Sequence, residues 1–142
     1  QLDSIREHLP KLARVRISTN HPVQYAALES LRGPQEYISK FVTELKKHRD
    51  LVVSRLNSMP GISCSNPKGA FYAFPKIENN PFKSDKEFVL NLLKSKGVLA
   101  VHGSGFGTKY GSGYFRLVFL PNMEILNSAL DKIEDFVSGY KS

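Results

Sequence analysis

The residue that first demands a chemical explanation is Arg116, inside the run Tyr114-Phe115-Arg116-Leu117-Val118-Phe119-Leu120. As a strand, this run places Tyr114, Arg116 and Val118 on one face and Phe115, Leu117 and Phe119 on the other. Both faces are otherwise apolar, so the strand reads as buried on both sides. Arginine is almost never fully buried without a partner, and an unpaired guanidinium there is costly. No acidic residue lies nearby in sequence. Two readings stay open: an arginine at a solvated strand end or paired with a distant carboxylate, and an anion receptor. The second draws on the planar fork of arginine, which grips a carboxylate or phosphate through two parallel hydrogen bonds.

Just before it comes His102-Gly103-Ser104-Gly105-Phe106-Gly107, followed by Gly111 and Gly113. Glycines let a ligand approach the backbone closely, but a mobile connector between strands has the same composition. The loop is not a Walker A sequence, because no Gly-Lys-Ser/Thr closes it. Nor is it a dinucleotide fingerprint, because Thr108 stands where the third glycine belongs and a strand follows. A third feature is Gly69-Ala70-Phe71-Tyr72-Ala73-Phe74-Pro75, whose aromatics read as core packing first and as a wall beside a ligand second. His8, His21, His48 and His102 are isolated and read as surface or capping residues, and Cys64 as structural. No Ser-His-Asp arrangement and no pair of carboxylates with a catalytic spacing emerges.

The elements that must position these residues belong to a chain of 142 residues, 41% hydrophobic and 23% charged. That is one domain, or one domain and a piece of another, and it excludes a wholly disordered chain. No apolar run approaches the roughly 18 residues that span a bilayer. One cysteine cannot make an internal disulfide, which points to the cytoplasm, and a structural zinc site is not expected. The start at Gln1 without a signal peptide fits an excised piece of a longer protein. The net charge of +7 admits a nucleic-acid partner, but the basic residues are dispersed as on a solvated surface.

Along the chain, residues 1–15 read as a short helix interrupted at Pro10, and Asn20-His21-Pro22 marks a break before a helix over 23–31. A long helix follows from about Gln35 to Asn57, with Tyr37, Ile38, Phe41, Leu45, Val52 and Leu56 at helical spacing. Residues 62–65 and 70–74 read as a strand hairpin around Asn66-Pro67-Lys68-Gly69. Ser84 and Glu87 form a capping box for a helix that ends at Gly97. Strands over 98–101 and 114–120 bracket the glycine-rich loop, and Asn122 caps a final helix with the stripe Leu126, Ala129, Leu130, Ile133, Phe136, Val137 and Tyr140. The expected class is α/β, more closely a two-layer α+β domain. It has a mixed sheet of about four short strands packed with helices, preceded by a long interdomain helix.

These features together resemble a known family. Asn20-His21-Pro22-Val23-Gln24, Gly69-Ala70-Phe71-Tyr72, the loop His102–Gly107 and Gly113-Tyr114-Phe115-Arg116-Leu117 are similar, in order, to the C-terminal part of fold-type I, class I/II pyridoxal-phosphate-dependent aminotransferases. The wording from Val101 to Gly107 resembles the alanine/aspartate aminotransferase branch, although many relatives carry proline where His102 stands. The resemblance implies that Arg116 binds the substrate α-carboxylate and that the glycine-rich loop lets a small domain close over the active site. It further implies that residues 1–33 are the tail of a large cofactor-binding domain, 34–58 a linking helix and 59–142 the small domain. The Schiff-base lysine would lie upstream, since no lysine here has the Ser-x-x-Lys setting, so no catalytic and no cofactor-binding residue is expected in this chain. Pyridoxal 5'-phosphate, amino-acid and 2-oxo-acid substrates, a missing large domain and a homodimer are implied for the whole protein, with no nucleic-acid or membrane partner. In related aspartate aminotransferases an arginine near Arg16 crosses a dimer interface, but the register differs and that role is not carried over. A stand-alone module binding small carboxylates, and a basic nucleic-acid-binding domain, are the alternatives.

Overall fold

Ser84 accepts the Glu87 N–H at 3.1 Å and the Glu87 carboxylate accepts the Lys83 N–H at 3.0 Å, so the expected cap opens a helix at Asp85. The same helix closes on Gly97 at φ +69°, the left-handed conformation that glycine adopts without strain. The computed structural model that shows this describes residues 3–140, and the side chains of Asp3, Ser4 and Arg16 lie outside the described set. Its elements are α1 (Asp3–Arg16), α2 (His21–Arg32), α3 (Glu36–Ser58), β1 (Ile62–Ser63), β2 (Tyr72–Ala73), β3 (Lys76–Ile77), α4 (Asp85–Lys96), β4 (Val101–His102), α5 (Thr108–Gly111), β5 (Phe115–Val118) and α6 (Met123–Ser138). A 3-10 turn over Gly103–Phe106 stands between β4 and α5.

Two compact units divide at residue 40, Gln1–Lys40 and Phe41–Ser142. In the first, α1 continues through Pro10 rather than breaking there, because a proline removes one helical hydrogen bond without forbidding the turns on either side. α2 starts at His21, with Pro22 in the first turn, where a missing N–H costs nothing. None of its residues is buried. Val15, Ile17, Val23, Tyr25 and Leu28 are all exposed, Ile17 at 91%.

The second unit holds the core. Leu56 of α3, Phe88 and Leu92 of α4, Phe115 of β5, Phe119 beyond it, and Leu130 and Ile133 of α6 are fully buried together. Each such side chain contributes about 1.5–3 kcal/mol by leaving water. Ion pairs on the surface, such as Arg55 of α3 with Asp131 and Glu134 of α6 at 2.7 and 2.9 Å, contribute about 1 kcal/mol at most, so the apolar cluster dominates.

The α+β class is as the sequence suggested, but the sheet is not mixed. Every strand pairing among the described residues is antiparallel. β2, β5 and β4 form one ladder with β5 in the centre, and β1 pairs with β3 in another. The expected hairpin is therefore absent. Ile62 faces Ile77, while Tyr72 and Ala73 face Val118 and Leu117. Asn57 of α3 accounts for the displacement: it donates to the Cys64 carbonyl at 2.9 Å and accepts the Cys64 N–H at 2.8 Å, taking the backbone groups that a hairpin would use. Nor is β5 buried on both faces: Phe115 is buried and Leu117 half-buried, while Val118 is 42% exposed. One face packs on α4 and α6, and the other is left for the site.

The apolar side chains exposed along α1 and α2 favour self-association. Size-exclusion chromatography of a chain beginning at Gln35 is expected to show less association than the full chain. Equal elution behaviour over a concentration series would contradict this.

Candidate functional site

Arg116 sits in the central strand of its sheet, opposite Val101. Tyr72, opposite Val118, projects from the same face one strand away. The guanidinium carbon lies 4.5 Å from the centre of the Tyr72 ring and 4.3 Å from that of Phe106. Both are within cation–π range, and each contact contributes about 0.5–2 kcal/mol. Phe106 meets Phe74 edge-on at 6.1 Å, and Phe74 stacks on Tyr114 at 5.3 Å. The aromatics of the Gly69–Pro75 motif thus join the row that holds the arginine, while Phe71 packs against the core.

Ring faces do not satisfy N–H groups. The Arg116 Nε is buried without a hydrogen-bond partner, and no carboxylate among the described residues pairs with this side chain. The paired-arginine reading therefore fails. Arg116 as a whole is half-buried, with only its Nε sealed from solvent; its donors lie in the guanidinium plane, the geometry that a carboxylate meets with two parallel bonds.

The glycine-rich loop brings Phe106 to this position. His102 ends β4, and its ring accepts the Gly105 N–H at 3.1 Å, capping the 3-10 turn. Gly107 at φ +131° redirects the chain into α5, which returns to close the loop. Gly103 and Gly111 then meet backbone to backbone, so that a Cβ on either would collide with the carbonyl oxygen of the other. The segment is a folded unit and not a mobile connector.

Asp85, in the first turn of α4, holds the loop from beneath. Its carboxylate, 4% exposed, accepts the Ser104 N–H at 2.6 Å. Burial pushes this carboxyl up, but hydrogen bonds from the Ser104 backbone and hydroxyl and from its own N–H, with the nearby His102, outweigh burial and hold it below its ordinary value. Neither Asp85 nor Phe106 stands out in the sequence. An acidic residue in a first helical turn has an ordinary explanation in the helix dipole.

The remaining candidates stand apart. His48 reaches the Phe119 carbonyl at 3.1 Å, His21 packs on Tyr25, and His8 lies beside Lys11. Cys64 is buried, and burial pushes its thiol up, as for an inert structural cysteine. No group of three or more metal-ligating side chains occurs among the described residues, and no helix there is long and apolar enough to cross a membrane.

Comparison with known proteins decides the kinship of this arrangement. Residues 2–133 match the family model described as aminotransferase class I and II. The chain belongs to that aminotransferase family. It is 38% identical over 140 residues, 95% of its length, to the glutamate-pyruvate aminotransferase AlaA of Haemophilus influenzae, of which it covers 34%. It is 40% identical to an aspartate aminotransferase of Pyrococcus horikoshii over 84% of its length and 30% of that protein. The solved alanine aminotransferase of Pyrococcus furiosus superposes with a TM-score of 0.87 at 51% identity, covering 98% of this chain and 35% of that one. The chain thus spans about a third of the length of the aminotransferases it matches.

Two outcomes follow for this aminotransferase segment. Gly103→Ala and Gly111→Ala are each expected to lower stability by about 1–3 kcal/mol, read by thermal unfolding, because the opposing backbone must move; unchanged melting would contradict the close approach. For Asp85, the unfolded chain takes up the proton first as pH falls. The contribution of its carboxylate is therefore complete above the ordinary value near 3.8 and lost as pH drops through the lower folded value. In denaturant unfolding, the stability difference between wild type and Asp85→Asn is expected to shrink in that acid window. A difference that does not vary with pH would contradict it.

Proposed function

We propose that this chain is the substrate-recognition and closure part of a pyridoxal-phosphate-dependent aminotransferase, transferring an amino group between an amino acid and a 2-oxo acid. In this reading Arg116 binds the substrate α-carboxylate. The observation that carries it is the buried Arg116 Nε with no acceptor, on a guanidinium resting against Tyr72 and Phe106. A transaminase must hold each amino acid by the carboxylate that all of them share. A planar two-pronged donor on a strand fixes that group and so orients the bond at the adjacent carbon. Family membership and the aminotransferase names of the relatives support the reading.

The domain division proposed with it assigns 1–33 to the end of a large cofactor-binding domain, 34–58 to a linking helix and 59–142 to the small domain. The residues present do not fit the cofactor. No lysine among the described residues is buried, and Lys96, one of the least exposed, is paired with Asp135. A Schiff-base lysine and its phosphate-holding groups are accordingly assigned to the part of a longer protein that this chain does not contain. No step is routed through the cofactor here. A cytoplasmic homodimer belongs to the same proposal.

The test is substitution in the full-length protein. Losing a desolvated, charge-assisted contact costs about 2–5 kcal/mol, so Arg116→Ala is expected to lower kcat/KM for amino acids by about 10² to 10³. Arg116→Lys keeps the charge but loses the two-pronged geometry, and should recover only part of the loss. The visible absorbance of bound cofactor should be unchanged in both. Near-normal kcat/KM in Arg116→Ala would overturn the carboxylate role, and loss of folding would return the arginine to a structural one.

A further inference from the structure

Asp85 is the only buried charged side chain among the described residues, and its own helix does not need it. Ser84 already caps α4 by accepting the Glu87 N–H, and the Glu87 carboxylate takes the Lys83 N–H. The Asp85 carboxylate instead turns across nineteen residues of sequence to the Ser104 N–H. Burying a carboxylate is unfavourable unless hydrogen bonds compensate, so a buried one bound to a loop reflects a need of the loop. Two residues beyond Ser104 stands Phe106, 4.3 Å from the Arg116 guanidinium carbon. Phe106 is itself 53% exposed, so little core packing fixes its ring, and its place depends on the turn that carries it. That turn is pinned at Ser104 by Asp85 and at Gly105 by the His102 ring.

We infer that Asp85 is a positioning residue for Arg116. By holding the Gly103–Phe106 turn at Ser104, it sets the Phe106 ring against the guanidinium and so fixes the plane in which Arg116 offers its donors. The inference rests on the reading of Arg116 as the carboxylate receptor and extends it to a residue that touches neither the arginine nor its ligand. The chain of contact is Asp85 to Ser104, through two residues of backbone to Phe106, and from that ring to Arg116. Asparagine at 85 retains an oxygen that accepts the Ser104 N–H, whereas alanine leaves that N–H without its partner.

Two measurements test this. In a proton–nitrogen spectrum of the chain itself, the Arg116 Nε–H, buried and shifted by two rings, reports the guanidinium directly. Asp85→Ala should move that cross-peak towards the position of an ordinary arginine, Asp85→Asn should move it less, and Phe106→Ala should move it in the same direction. A cross-peak unmoved in folded Asp85→Ala overturns the inference, and if that variant does not fold, an unmoved peak in Phe106→Ala does so, because the inference runs through that ring. In the full-length protein, Asp85→Ala should raise the KM for amino acids by about 5-fold to 20-fold, with kcat within about 3-fold, and Asp85→Asn should restore most of it. The double variant Asp85→Ala/Phe106→Ala should be no worse than Phe106→Ala alone within about 2-fold, because both act through one contact. A purely structural Asp85 would lower the melting temperature while leaving the KM of the folded enzyme unchanged. Unchanged KM in Asp85→Ala, beside a lowered kcat/KM in Arg116→Ala, overturns this inference alone. Near-normal kcat/KM in Arg116→Ala overturns the carboxylate reading and this inference with it.

Discussion

A guanidinium held against two aromatic rings without an anionic partner is the constraint around which this unit is built. Ring faces stabilise its charge but leave its buried Nε–H without an acceptor, a local cost within the unit. An ion pair with an aspartate or glutamate of the same chain would remove that cost. Several acidic residues of this unit are held by other cations. Asp131 and Glu134 hold Arg55, Asp135 holds Lys96, and Glu78 holds Lys76. The net charge of +7 leaves an excess of cations over these partners.

Keeping a cation free requires a rigid frame, because a long side chain on a loose one would find a partner of its own. The central strand β5 supplies one side. The loop supplies the other, and its rigidity comes from two unlike sources. Gly103 and Gly111 permit a backbone approach that no other residue allows, while Asp85 brings the hydrogen bond that an isolated turn lacks. The core below, from Leu56 to Phe115 and Ile133, is what allows α4 to hold Asp85 in register with that turn.

How far the sequence alone could go depended on the range of the interaction involved. Local signals were sufficient at Ser84, Glu87, Gly97 and Asn122, where a cap is written within four residues and the structure forms it. Arg116 could also be singled out locally, because an arginine amid aromatic and aliphatic neighbours contradicts its setting. Strand pairing could not. Residues 62–65 and 70–74 have the pattern of a hairpin, yet β2 joins β5 across more than forty residues and β1 joins β3, a choice made by Asn57 and by core packing. Pro10 misled in the opposite sense, since its local rule is a tendency that neighbouring helical residues override.

Phe106 and Asp85 were hidden for a different reason. Each has a sufficient local explanation, a loop aromatic and a first-turn acid, so neither offered a contradiction to pursue. The role inferred for them rests on the relation between α4, the loop and β5, which is a property of the packed unit. The Ser104–Asp85 bond is one brace of the turn among others, beside the Gly103 N–H to the Tyr114 carbonyl and the Gly105 N–H to the His102 ring.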